Sequence, residues 1–121
     1  MSTMTKKRVA ELEGAQLNAM VAAAEGVTIR VRPDGTYQGK GNRLVPWYSL
    51  PHYSSEWGRG GPIIERERIT IDPIEDNQWA AHIVSSSVKG GWLRITGASP
   101  LIAAMRAFVA SKLGDEMEVP E

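Results

Sequence analysis

A chain of 121 residues with 14 basic and 14 acidic side chains, 42% of it apolar, fits one domain with a modest core. Having no cysteine excludes a disulfide framework, a thiolate metal site and a cysteine nucleophile, and leaves nothing that argues for secretion. There is no bilayer-spanning apolar run or signal-peptide h-region, and a formal charge of zero excludes a uniformly basic nucleic-acid coat, so a soluble cytoplasmic protein is expected.

Residues 1–10 read as a disordered leader carrying Lys6, Lys7 and Arg8. Residues 12–25 predict the first helix, because Leu17, Met20, Val21 and Ala24 follow i, i+3, i+4, i+7 spacing and Gly26 stands where a helix ends. Residues 27–32 alternate with period two, placing Val27, Ile29 and Val31 on one face, and Pro33-Asp34-Gly35 turns the chain. Residues 36–61 hold no sustained period and read as a long loop rich in aromatics and glycine. Pro62 is expected to open a short helical turn through Glu67.

Ile69 and Ile71 predict a strand ended by Pro73, and Glu75-Asp76-Asn77 a hairpin into a strand over 78–84. In that strand Trp79, Ala81 and Ile83 share one face, with Ala80, His82 and Val84 on the other. Ser85-Ser86-Ser87 begins a turn, and residues 92–96 form the last strand. Residues 99–113 predict the second long helix, with Ser99 as N-cap, Pro100 at the first position and Gly114 at the end. Residues 116–121 read as a frayed acidic tail. The expected fold is α+β over residues 11–115, a small antiparallel sheet of about four strands packed against an N-terminal and a C-terminal helix.

The zero charge is unevenly built. Residues 26–68 carry seven basic side chains against four acids, and five of the eight aromatics (Tyr37, Trp47, Tyr48, Tyr53 and Trp57) lie there as well. This makes Arg43, Trp47, Tyr48, His52, Tyr53, Trp57 and Arg59 the candidate binding residues, since Trp, Tyr and Arg dominate interface hot spots. Trp57 and Trp79 also suit a packing role beneath the sheet. Gly60 and Gly61, before Pro62, suggest an anion-binding turn at a helix N-terminus, or a turn that simply permits close packing. His52 and His82 stand apart, without a helical ligand pair, so no metal or other cofactor is implied. The serines near His82 form no nucleophile elbow, and the reading is non-enzymatic.

Three segments carry a resemblance: Gly14-Ala15-Gln16-Leu17 with Ala24-Glu25-Gly26; Tyr53-Ser54-Ser55-Glu56-Trp57 with Gly60-Gly61-Pro62-Ile63-Ile64-Glu65; and residues 100–109 with Gly114-Asp115-Glu116. In this order and spacing the chain resembles the NinX-like family of small bacteriophage and prophage proteins, whose role is not established. The resemblance covers most of residues 12–119 and supplies no catalytic residues. It implies phage or prophage origin and action inside an infected bacterium. Together with the missing catalytic constellation and the clustered Trp, Tyr and Arg, it suggests an accessory protein that binds a host or phage protein. The alternative is a binder of a small nucleotide-like or other anionic planar ligand. Nucleic acid and membrane are not expected partners, and self-association stays open.

Overall fold

The computed structural model describes residues 4–40, 46–85 and 91–121. It is an α+β fold, with three helices and eight strands in three small antiparallel sheets among the described residues. The elements are β1 (Met4–Arg8), a 3-10 turn (Val9–Glu11), α1 (Gly14–Ala24), β2 (Thr28–Val31), β3 (Tyr37–Lys40), β4 (Tyr48–Ser49), α2 (Trp57–Glu67), β5 (Thr70–Glu75), β6 (Gln78–Val84), β7 (Trp92–Gly97), α3 (Pro100–Leu113) and β8 (Glu116–Pro120). The single four-stranded sheet expected from the sequence is instead divided, with orders β2-β3-β4, β5-β6-β7 and β1-β8. The division arises because β2 takes its partner from the adjoining aromatic segment rather than from β5 to β7.

Helix α3 is the centre of the molecule. Leu101, Ala103, Ala104, Met105, Ala107, Phe108, Val109 and Ala110 are all buried, too wide an arc for a helix with one wet face. It packs on β5, β6 and β7 and also meets α1, α2 and β8. The approach to β7 is so close that a Cβ on Gly97 would lie 2.7 Å from the Ala103 amide nitrogen. Ser99 caps the helix, its hydroxyl accepting from the Ile102 amide at 3.1 Å. Arg106 donates from Nε to the Leu12 carbonyl at 2.8 Å and from Nη1 to the Thr96 carbonyl at 3.0 Å, tying α3 to two other segments. Burial favours its neutral form, and nearby Glu13 opposes that effect.

Helix α1 packs on α3 and beneath β2 and β3. There Ala19, Ala22 and Leu50 form a small second core against Val27, Ile29, Tyr37, Tyr48 and Tyr53.

Three expectations change. The chain ends are paired: β1 and β8 form a ladder with Lys6 opposite Glu118 and Arg8 opposite Glu116, and Lys6 Nζ lies 3.1 Å from Glu116 Oε2. Met117 and Val119 bury on one side of that ladder, so the segment expected to fray contributes to the core. Helix α2 starts at Trp57, five residues before the expected Pro62, and the proline lies inside it. It ends on Arg68 in the left-handed conformation (φ 54°), with Ile69 N donating back to the Ile64 carbonyl at 3.0 Å. Strand β5 continues through Pro73 to Glu75, with a register irregularity between them.

Candidate functional site

The 46–61 stretch is built on α1. Asn18 is buried in that helix, and its Oδ1 accepts from the Ser54 amide at 2.9 Å and the Ser54 hydroxyl at 2.8 Å. Those two bonds fix a turn in which the Ser55 and Glu56 amides donate to the His52 carbonyl at 3.2 and 2.9 Å. His52 Nδ1 stands 3.4 Å from Glu56 Oε1 on its exposed side. From Glu56 the chain enters α2, whose end is tied in turn to its neighbours. Arg66 bonds Glu25 at 3.0 Å and Glu67 at 2.9 Å, and Lys112 of α3 lies 3.6 Å from Glu67. The start and end of α2 are thereby held against both long helices.

The candidate residues do not converge on one pocket. Tyr48 and Tyr53 are half-buried and pack on the second core, and Tyr53 also packs on the main one. Burial, then the nearby Glu25 and Tyr48, push the Tyr53 phenol above its usual range, while Arg59 opposes the shift. Trp47 lies on the opposite face of the β2-β3-β4 sheet, its ring 4.1 Å from the Arg30 guanidinium and 5.8 Å from Lys40 Nζ. Trp57 is 55% exposed at the first position of α2, so it does not plug the sheet as a packing residue would. Arg59 is exposed on the same turn, whereas Trp79 is half-buried against the main core. Arg43 lies outside the described residues.

The glycines before Pro62 do not form a turn. Gly58, Gly60 and Gly61 are helical, and the Arg59 and Gly60 amides donate to the Glu56 carbonyl at 2.9 and 3.0 Å. The anion-binding turn drawn from these glycines is therefore not formed. A Cβ on Gly60 would meet the Tyr53 carbonyl oxygen at 2.5 Å and Leu101 Cδ1 at 2.6 Å, which is the close-packing role. Gly61 has no such neighbour within 4 Å.

A cavity of about 500 Å³ opens between the first turns of α1 and the 49–55 segment, lined among others by Asn18, Tyr37, His52 and Ser54. A second, of about 620 Å³, adjoins it, sharing Ala15, Gly35 and Tyr37. Among the described residues, His52 is the one member of the sequence-derived set that lines either. Among the described residues no three potential metal ligands gather.

Sequence reasoning passed over Asn18, Arg30 and Trp92. Asn18 carried a readable signal, a short amide inside an alanine-rich helix. Arg30 was visible only as one outward member of an alternating strand. Trp92 is 58% exposed opposite Val84, itself 62% exposed, at the end of the β6-β7 ladder where residues 85–91 connect the two strands.

A family model described as Bacteriophage P22, NinX matches residues 8–112. The chain belongs to that family. The match runs from the end of β1 to nearly the end of α3 and includes the whole 46–61 stretch. No curated protein matches the chain. No helix among the described residues is long and apolar enough to cross a membrane.

Proposed function

We propose that this chain is a phage accessory protein that acts by contact with a host or phage protein, and that Trp57 anchors the contact. One observation carries the reading: an indole 55% exposed at the start of a helix otherwise held firmly in the fold. Most of the other described aromatics are covered at least in part, Phe108 fully and Tyr48, Tyr53 and Trp79 by half, with Trp92 the other exposed one. A tryptophan left in water on a rigid element, with exposed Arg59 on the same turn, has the chemistry of an interface hot spot.

A photoreactive amino acid placed at Trp57 in infected cells tests the reading. A discrete adduct to another protein is expected there and not at Asp76, which is exposed on the β5-β6 turn. Trp57→Ala is expected to abolish competition for that adduct while leaving thermal unfolding nearly unchanged. Equal labelling at both positions, or unfolding of Trp57→Ala, would remove the assignment.

A further inference from the structure

The outward face of the β2-β3-β4 sheet carries a prepared cationic site. The inward face of that sheet, with Ile29, Gly39 and Tyr48, meets the second core, and the opposite face presents Arg30, Gln38, Lys40 and Trp47. Arg30 is held in place from two sides. Its guanidinium lies over the Trp47 ring at 4.1 Å, and Gln38 Oε1 accepts from Nε at 3.0 Å and from Nη2 at 2.7 Å. Among the described residues this leaves three of the five guanidinium N–H groups, both on Nη1 and one on Nη2, the fork that suits a carboxylate. Lys40 Nζ, beside the same ring, adds a second positive charge. Among the described residues no carboxylate pairs with Arg30 or Lys40; Asp34 in the β2-β3 turn sits near Arg32 and bonds Thr36.

We propose that this face docks an acidic polypeptide segment, with Arg30 gripping a carboxylate through its free fork and Lys40 a neighbouring one. The inference rests on the protein-binding reading for its class of partner, and adds that partner's chemistry and a second contact surface. Charge complementarity names the occupant, and the indole favours a peptide over nucleic acid. Base-stacking platforms offer bare rings, whereas here the guanidinium already covers the ring.

The test is fluorescence anisotropy with a labelled oligo-glutamate peptide, and with a thymidine oligonucleotide of the same length, on the full chain at low salt. Arg30→Gln with Lys40→Gln is expected to weaken peptide binding about tenfold, and Lys6→Gln with Lys7→Gln to change it less than about twofold. Arg30→Lys, which keeps the charge and removes the fork, is expected to lose most of the Arg30 effect. Equal loss in the Lys6/Lys7 variant, no loss in the Arg30/Lys40 variant, or tighter Arg30-dependent binding of the oligonucleotide would overturn the proposal. A missing Trp57 adduct with the peptide result intact would remove the protein-contact reading at α2 alone. An intact adduct with no Arg30 dependence would remove this face alone.

Discussion

Two glycines of α2, two residues apart, are expected to respond to alanine in opposite directions. At Gly60 a new Cβ would lie 2.5 Å from the Tyr53 carbonyl oxygen and 2.6 Å from Leu101 Cδ1, well inside ordinary contact. Neither neighbour yields easily. Tyr53 precedes the Ser54 backbone that Asn18 pins, and Leu101 is only 3% exposed. Overpacking of this kind costs about 1–3 kcal/mol, offset by about 0.5–1 kcal/mol for replacing a helical glycine. Gly60→Ala should therefore destabilise the fold by roughly 1–2 kcal/mol. Gly58 has no heavy atom within 4 Å of the same position, so Gly58→Ala keeps the propensity gain alone. The two variants should differ by about 2 kcal/mol, or roughly 8 °C in Tm for a chain of this size. Thermal and urea unfolding of both measure this directly. A Gly60→Ala protein as stable as the parent, or two shifts of the same sign, would refute the packing of α2 on Leu101.

Asn18→Ala leaves the Ser54 amide and hydroxyl without their acceptor and should cost about 1–3 kcal/mol; hydrogen exchange at Ser54 should quicken by a matching factor, and unchanged protection would count against the pinned turn. Removing residues 116–121 takes Met117 and Val119 out of the core and should cost about 3–6 kcal/mol, measured by urea unfolding. A loss below about 1 kcal/mol would show that β8 adds little. The Arg66 guanidinium, helped by Lys112, holds the Glu67 carboxyl below its usual range against the opposing effect of burial. That contribution is present above the ordinary carboxylate range and is lost as pH falls through the lowered folded value. Glu67→Gln should thus be less stable than the parent at neutral pH, and the gap should close below about pH 4.5. A gap that stays constant with pH would mean the ion pairs contribute nothing.

What was legible in the chain divides by whether the signal is local. The spans of α1, α3 and β6 follow from periodicity and caps carried by neighbouring residues, and their boundaries match to within about two residues. The part of α2 before Pro62 was hidden because Gly58, Gly60 and Gly61 oppose helix locally and Pro62 suits a helix start, while tertiary contacts (Gly60 on Leu101, Ile63 in the core) hold the helix. Its end at Glu67 was read correctly, although Arg68 rather than a glycine takes the left-handed position that stops it. Strand β8 alternates Glu116, Met117, Glu118, Val119 with a readable period of two, but its partner is at the other end of the chain and its acidity resembles a solvated tail. At the candidate site the cluster of aromatics was legible and their division was not. Trp57 is exposed because α2 begins there, and Trp47 meets Arg30 only because β4 pairs across β3 from β2.

The local charge excess can now be apportioned. Lys6 and Arg8 are answered by Glu116 and Asp115, so two of the three cations of the basic leader are matched by acids at the other end of the chain. Arg66 and Lys112 are answered by Glu25 and Glu67, so that cluster links helices rather than partners. The cations that remain without a carboxylate partner among the described residues include Arg30 and Lys40 beside Trp47, and Arg59 on the turn of Trp57. Each of the two outward tryptophans of the 46–61 stretch thus has an unneutralised cation close to it in the fold or the chain. A charged group left unpaired gains nothing for stability, whereas beside an outward-facing aromatic it adds selectivity for an acidic partner. That pairing, rather than the net charge, is why both proposed contacts fall in the middle of the chain.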